Sequence, residues 1–275
     1  MSIYYERQGS GEPLLLLHGT GSYCRVWDRV IPLLTKEAET IAVDLPGFGR
    51  SSSRAVPLRD MTRLVDVIEE FMDAHELSRP HVIGNSGGGW MALELAKRGR
   101  AMTVVALGPM GMWHTRNNRS PFYVRLNFHL SYRAANALRR WEKPILRSRI
   151  GRAALMSQVM GRPWALSYEE ALGTVTNFLD SPGIMDMAEA VANGRFVDGH
   201  LIDVPVTVAY GRRDAALLPR HRRREEVPPQ TRWLTLPRCG HVPMADDPEL
   251  VAGVILSGTV GASAGQWPAG ALHVA

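Results

Sequence analysis

Residues His81 to Gly99 read HVIGNSGGGWMALELAKRG, and one serine, Ser86, stands among four glycines where an apolar run gives way to a helical pattern. A serine at a sharp turn from a strand into a helix is held above the edge of the sheet, with backbone N–H groups of the helix behind it. That turn is crowded, so glycines are needed on both sides, as in GNSGG. The stretch therefore predicts a serine nucleophile at a strand-to-helix turn.

A serine hydroxyl needs a base that removes its proton, and two later segments supply candidates. VPVTVAYGRRD places Asp214 just after an apolar run, and RWLTLPRCGH places His241 just after the next one. The ends of parallel strands converge at one edge of a sheet. We therefore expect Ser86 to act as nucleophile, His241 as general base and then acid, and Asp214 to orient the imidazole ring.

Short apolar runs alternate with amphipathic segments on both sides of this stretch, which is typical of βα units on a parallel sheet. LLLLHG (14–19) is too continuous for a half-exposed strand and predicts a buried parallel one. SIYYERQG predicts an edge strand, and TIAVDLPG, PHVIGNS, MTVVALGP, VPVTVAYG and TRWLTLPRCG predict the other strands. The predicted fold class is α/β, a mostly parallel, doubly wound sheet.

The alternation breaks after Pro109, since residues 111–199 show helical patterns and no clear strand. Within this segment, Ser167 and Glu170 are spaced as a capping box, and further on Asp247-Pro248 predicts the start of a last helix. We expect a core formed by 1–110 and 200–257, a helical cap inserted at 111–199, and a flexible tail at 258–275.

These motifs together resemble the α/β-hydrolase family, and the likeness runs from Ile3 to Leu256. HGTG (18–21) resembles the oxyanion loop of the family, and DLPGFGRSS, GRRDAALLP and CGHVPMADDP resemble three further loops. The resemblance implies an oxyanion hole formed by the backbone N–H groups of Thr20 and Gly87. It also implies that His18 shapes its loop rather than acting as a second base, and that the helical segment covers the site.

Composition excludes several other classes of function. The formal net charge is +5, but the arginines are scattered, and their one dense run, RHRRREE (220–226), predicts a solvated helix face. Nothing in the sequence is typical of a nucleic-acid-binding module, a metal site, a dinucleotide fingerprint, a secretory signal or a membrane span. We expect a cytoplasmic enzyme without metal or cofactor, acting on a small molecule, with Cys24 and Cys239 as free thiols and a homodimer left open.

The residue types narrow the reaction without naming it. Epoxide hydrolases and haloalkane dehalogenases of this fold use an aspartate nucleophile, so Ser86 argues against both. The turn that carries Ser86 also resembles the corresponding turn of hydrolases that cleave carbon–carbon bonds in ring-fission products. Those hydrolases usually carry tryptophan directly after the histidine, where this chain has Val242. Ester or thioester hydrolysis ranks first and carbon–carbon hydrolysis second. A cofactor-free lyase, cyclase or acyltransferase and a non-catalytic binder remain open.

Methionine and tryptophan cluster in and beside the helical segment, and methionine adapts to irregular apolar shapes. We expect a medium-sized, largely apolar substrate that contacts Met110, Met112, Trp113 and Val242. Core packing is an equal alternative for any one of them. Three arginines are candidates to meet a carboxylate or phosphopantetheine group: Arg116, Arg119 and Arg125. Asp246 and Asp247 follow the histidine and suit helix capping better than the role given to Asp214.

Overall fold

The structure, a computed structural model, describes residues 2–51, 58–113, 120–218, 222–260 and 272–273. Its strands form one eight-stranded sheet in the order β1-β3-β2-β4-β5-β6-β7-β8. The strands are β1 (Tyr5–Gln8), β2 (Pro13–Leu17), β3 (Glu39–Val43), β4 (His81–Asn85), β5 (Val104–Leu107), β6 (Val206–Gly211), β7 (Arg232–Leu236) and β8 (Leu272–His273). The six strands from β2 to β7 are parallel, and the two edge strands, β1 and β8, are antiparallel to their neighbours.

The leucine run predicted as a buried strand is β2, and its four leucines have no exposed surface. Leu15 and Leu17 belong to one core cluster and Leu14 and Leu16 to another, since successive side chains of a strand point to opposite faces of the sheet. Helices cover both faces, so every position of this strand is apolar.

Ten helices accompany the sheet in the described part of the chain. They are α1 (Ile31–Leu34), α2 (Met61–Ala74), α3 (Gly87–Lys97), α4 (Ser120–Ala137), α5 (Glu142–Arg147), α6 (Arg149–Met156), α7 (Tyr168–Asp180), α8 (Ile184–Asn193), α9 (Pro243–Asp246) and α10 (Pro248–Gly258). The five helices α4 to α8 lie between β5 and β6, and the described residues there include no strand. A 3₁₀ turn at Cys24–Trp27 precedes the short α1.

Two helix starts agree with their sequence signals. Helix α7 has a complete capping box, in which Ser167 Oγ accepts from the Glu170 N–H at 3.1 Å and Glu170 Oε2 accepts from the Ser167 N–H at 2.7 Å. Asp247 caps α10 through the Leu250 N–H at 3.2 Å. Local side-chain chemistry thus sets both starts.

The predicted tail at 258–275 differs in part from the structure. Helix α10 reaches Gly258, and Thr259 is buried. Farther along, Leu272 and His273 pair with Thr235 and Leu234 of β7, so this stretch supplies an edge strand. The remainder, 261–271 and 274–275, lies outside the described residues.

Candidate active site

Ser86 lies between β4 and α3 with φ 57° and ψ −116°, a backbone conformation that only a tightly constrained turn holds for a residue with a side chain. Its N–H donates to the Leu107 carbonyl at 2.9 Å. A Cβ added to Gly84 would lie 2.1 Å from the Gly88 carbonyl oxygen, and one added to Gly88 would lie 2.4 Å from the Leu17 carbonyl oxygen. Both glycines are therefore required by close backbone approach, as the motif predicts.

The structure brings Ser86, His241 and Asp214 into one hydrogen-bonded chain. Ser86 Oγ lies 2.9 Å from His241 Nε2, and His241 Nδ1 lies 2.9 Å from Asp214 Oδ2. All three residues are at most 5% exposed. The Asn85 side chain, part of the same turn, donates to the His241 carbonyl at 2.9 Å and thereby ties the histidine loop to the serine turn. This geometry is the one in which an imidazole removes a proton from a serine hydroxyl.

Asp214 is the fixed end of this chain. Its second oxygen, Oδ1, accepts from the N–H groups of Ala216 and Leu217 at 2.9 and 2.8 Å. Burial alone raises the pKa of this carboxyl, but His241, the Leu217 N–H and the Arg222 guanidinium outweigh burial and hold the pKa of Asp214 below its usual value. Asp214 is therefore a carboxylate at neutral pH, as the orienting role requires.

Arg222 is a contributor that the sequence analysis missed, because RHRRREE was interpreted as a solvated helix face. No helix is present at 222–226; Arg222 donates twice to the Leu217 carbonyl, at 3.0 and 2.6 Å, and packs over the Tyr210 ring at 4.3 Å. Arg223 is also half-buried, and its N–H donates to the Met112 carbonyl at 2.8 Å. Arg222 therefore braces the loop that carries Asp214, and Arg223 is bonded to the chain beyond β5.

Thr20 and Gly87 are neighbours beside the serine. A Cβ added to Gly87 would lie 2.9 Å from Thr20 Oγ1. Gly87 begins α3, where the first N–H groups of a helix have no partner within it. Within the described residues, the backbone N–H groups of Thr20 and Gly87 have no acceptor, and Thr20 Oγ1 has no hydrogen-bond partner either. Two such N–H groups can bind an oxygen that gains negative charge.

His18 is fully buried and bonded on both ring nitrogens to the backbone. Nδ1 lies 2.8 Å from the Gly19 carbonyl oxygen, and Nε2 accepts from the Leu45 N–H at 2.9 Å. Burial lowers the pKa of His18 to about 4, although the Gly19 carbonyl and the Asp44 carboxylate oppose this shift. With Nε2 already occupied as an acceptor, His18 holds two loops together and has no free base position for Ser86.

The two aspartates that follow His241 have different tasks. Asp247 is a helix cap, as expected, but Asp246 is not. The Asp246 carboxylate accepts from Gly240 at 2.7 Å and from Gly161 and Arg162 at 2.8 and 2.6 Å. It therefore joins the histidine loop to the helical segment, whereas the contact to His241 Nδ1 belongs to Asp214.

Both cysteines are buried free thiols, in agreement with the sequence analysis. Burial raises the pKa of each thiol, that of Cys239 to about 12. Both thiols are therefore protonated at neutral pH.

A cavity of about 330 Å³ opens beside Ser86 and His241. Its core side comes from loops at the strand ends, and its other side comes from helices α4, α6 and α7 and the turn after α6. Most of the lining is apolar, contributed by Val124, Phe128, Leu138, Leu155, Met156, Val159, Met160, Val175 and Phe178. A cavity of this size admits a small organic molecule.

Of the four residues expected to contact substrate, two line the cavity and two are buried in the core. Met110 and Val242 line the cavity. Met112 and Trp113 do not: both are buried in the core, where Trp113 Nε1 donates to the Gly194 carbonyl at 3.2 Å. The chain turns after Met110, so the next side chains pack beneath the helical segment.

The arginines considered for an anionic substrate are not part of the cavity as described. Arg125 is exposed and lies 3.8 Å from Glu189. Arg116 and Arg119 lie outside the described residues. The described residues also contain no cluster of metal-ligating side chains and no helix long and apolar enough to cross a bilayer.

A model of the Alpha/beta hydrolase family matches residues 14–254. The chain belongs to this family. Over 261 residues it is 27% identical to the dihydrolipoyllysine-residue acetyltransferase component of the acetoin cleaving system of Pseudomonas putida, a match that covers 90% of this chain. The chain spans only 64% of that relative's length.

Two further similarities bear on the fold and the reaction. The 2-hydroxymuconate semialdehyde hydrolase of Pseudomonas sp. (strain CF600) is 36% identical over 109 residues, which cover 38% of each chain. A solved thermophilic esterase from Thermogutta terrifontis superimposes with a TM-score of 0.68, at 22% identity and over 92% of this chain and 91% of the other. These findings confirm the predicted α/β-hydrolase fold and family, and the relative named a hydrolase supports the prediction of an enzyme.

Proposed function

We propose that the protein is a serine hydrolase that cleaves an ester or thioester of a medium-sized, largely apolar small molecule through an acyl-enzyme. The observation that carries this proposal is the hydrogen-bonded chain Ser86–His241–Asp214, of which Ser86 and His241 line a largely apolar cavity. A hydroxyl, an imidazole and a carboxylate in that order are what acyl transfer to serine requires.

In the proposed reaction, Ser86 Oγ attacks the substrate carbonyl carbon while its proton passes to His241 Nε2. The carbonyl electron pair moves onto oxygen, which the N–H groups of Thr20 and Gly87 stabilise. Collapse of this intermediate breaks the bond to the leaving oxygen or sulfur, which takes the proton from His241. Water then gives a proton to His241, attacks the acyl carbon and releases the acid, and the proton returns to Ser86.

The helical segment at 111–199 acts in this proposal as a cap. Its helices α4, α6 and α7 form the wall of the cavity opposite Ser86. Asp246 and the bond from the Val242 N–H to the Val159 carbonyl, at 2.8 Å, tie this cap to the histidine loop. The cap therefore restricts water and selects the acyl chain.

Carbon–carbon bond hydrolysis is the second candidate, favoured by the similarity to the 2-hydroxymuconate semialdehyde hydrolase. That match covers well under half of each chain, and Val242 follows the histidine where those hydrolases usually carry tryptophan. An acyltransferase on the same three residues is the next alternative, and it differs only in the acceptor that attacks the acyl-enzyme.

The test is labelling with a fluorophosphonate, which reacts with an activated serine, followed by mass analysis of each peptide. We expect the wild-type protein and Ser22→Ala to be labelled on Ser86, and Ser86→Ala to remain unlabelled. Ser22 also lines the cavity but lies next to no base that the structure records, so it is a matched control. A folded wild-type protein that is not labelled would overturn the proposal.

Turnover then separates the reactions. Esters and thioesters of graded acyl length should give free acid and Ser86-dependent release of the alcohol or thiol. A ring-fission product cleaved faster than every ester would move carbon–carbon hydrolysis ahead, and acyl products that form only with an added alcohol or thiol acceptor would favour acyl transfer.

A further inference from the structure

The helical wall of the cavity contains four uncharged polar side chains among its apolar ones. The hydroxyl of Thr174 donates within its own helix, to the Glu170 carbonyl. The other three, Asn127, Ser131 and Gln158, are here called the polar row. Asn127 and Ser131 are four residues apart on α4 and therefore lie on the same face of that helix. Gln158 follows the end of α6. All three are half-buried.

The polar row is internally connected. Ser131 Oγ donates to Gln158 Oε1 at 2.9 Å, and Gln158 Nε2 donates to Asn127 Oδ1. The chain of donors therefore runs from Ser131 through Gln158 to Asn127. Within the described residues, the two N–H groups of the Asn127 amide have no acceptor. The row thus ends in hydrogen-bond donors at the cavity wall.

Helix α4 places these polar residues in an unusual position. Three large apolar residues at i, i+4 and i+8 face solvent, with Phe122 53%, Leu126 40% and Leu130 57% exposed. At the cavity, the same helix presents Asn127 and Ser131 beside the apolar Val124 and Phe128. A helix that packs against a core normally has an apolar inward face. The bonds to Gln158 join Asn127 and Ser131 to the turn after α6, and they leave the N–H groups of Asn127 available to a polar substrate group.

The charge of the lining limits what that group can be. Glu142 and the histidine of the proposed triad are the only titratable side chains among the described lining residues. Glu142 Oε2 is buried and has no hydrogen-bond partner among the described residues. The described lining residues include no lysine or arginine that could pair with an anion, and Glu142 adds a further acceptor, so the lining disfavours an anionic substrate group.

We infer that the substrate is a neutral acyl ester or thioester that bears a hydroxyl or keto oxygen along its chain, bound by the polar row. This inference rests on the proposed function, because the scissile carbonyl is placed at Ser86. The apolar lining binds the methylene groups, and the Asn127 amide donates to the substrate oxygen. Glu142 excludes the corresponding carboxylic acid.

The experiment compares p-nitrophenyl esters of one chain length that end in a methyl, hydroxyl, keto or carboxylate group. We expect kcat/KM for the best hydroxyl or keto ester to exceed that of the methyl ester by about tenfold, the effect of one net hydrogen bond. The carboxylate ester should be the slowest. Asn127→Leu and Gln158→Leu should reduce the hydroxyl preference, the ratio of kcat/KM for the hydroxyl ester to that for the methyl ester, below twofold.

Two further variants make the result specific. Thr174→Val removes another hydroxyl of the cavity lining, one already bonded to the Glu170 carbonyl at 2.8 Å, and should leave the preference unchanged. Glu142→Gln should raise kcat/KM of the carboxylate ester at least fivefold relative to that of the methyl ester.

The outcomes separate this inference from the proposed function. If the methyl ester is turned over through Ser86 but is preferred to every oxygenated ester, or if Asn127→Leu keeps the preference, the inference is wrong and the proposed function stands. If no ester is turned over, the proposed function fails. Binding of chain-matched hydroxy and unsubstituted amides, measured by calorimetry, then decides whether the row recognises oxygen.

Discussion

The two sides of the cavity are built in different ways. On the core side, the side chains that position the histidine and the loops are bonded to backbone groups or to one another: Asp214 to two N–H groups and a histidine, His18 to a carbonyl and an N–H. Thr20 Oγ1, beside the serine, is the exception among the core-side groups named here. On the helical side, the polar row ends in an amide without an acceptor, and Glu142 keeps an unpartnered carboxylate oxygen. A bonded side chain is held in one geometry, which proton transfer requires, whereas unsatisfied groups at a cavity wall favour a ligand. We therefore assign chemistry to the core side and selection to the helical side.

The largest effect should come from Asp214→Asn on the core side. The N–H groups of Ala216 and Leu217 retain the amide oxygen in the place of Oδ1, so the amide NH2 faces His241 Nδ1 and donates to it. This bond fixes the ring tautomer that cannot take the proton of Ser86, so kcat should fall on the order of 10³- to 10⁴-fold. The measurement is steady-state hydrolysis of the best ester, with circular dichroism to confirm folding.

Asp247→Asn is the matched control, because asparagine caps a helix about as well as aspartate. It should keep kcat within twofold. If folded Asp214→Asn keeps activity within tenfold of wild type, Asp214 is not the carboxylate that orients His241. Asp246, the other buried carboxylate near His241, then becomes the candidate for that role.

The sequence predicts the core side of the cavity better than the helical side. Ser86, His241 and Asp214 could each be placed because each stands directly after an apolar run, and parallel strands bring their ends to one edge. Arg222, Asp246 and the polar row could not be placed in this way. Their partners are set by packing between segments far apart in sequence, as when Gly161 donates across 85 positions to Asp246. The sequence also does not show where the chain turns after Met110, so the expected substrate contact of Met112 and Trp113 is wrong and the alternative of core packing holds for both.

A second prediction concerns His18 and the dependence of stability on pH. The pKa of His18 is about 4 in the fold, because burial disfavours the charged ring, and about 6.5 in the unfolded chain. Between these values the unfolded chain binds the proton more strongly, so the free energy of unfolding decreases as pH falls from about 6.5 to about 4. The loss should reach about 3 kcal/mol.

Urea unfolding of wild type and His18→Gln at several pH values measures this term. The variant should be less stable at pH 7, because the Leu45 N–H or the Gly19 carbonyl loses its partner, and its stability should depend less on pH over this window. His200→Gln is the control, since His200 is exposed and should leave the slope unchanged. Equal slopes for wild type and His18→Gln would show that His18 does not titrate with folding.

The smallest effect on activity should come from two methionines two positions apart. Met110 lines the cavity, whereas Met112 has no exposed surface and packs in the core. Met110→Ala enlarges the cavity beside Ser86, so kcat/KM should rise a few-fold for bulkier acyl esters relative to short ones. Met112→Ala should instead lower the free energy of unfolding by about 2–4 kcal/mol and leave the order of ester preference within twofold of wild type. Ester panels and urea unfolding of both variants check this. An altered acyl preference in Met112→Ala, with none in Met110→Ala, would mean that the core residue rather than the lining residue shapes the site.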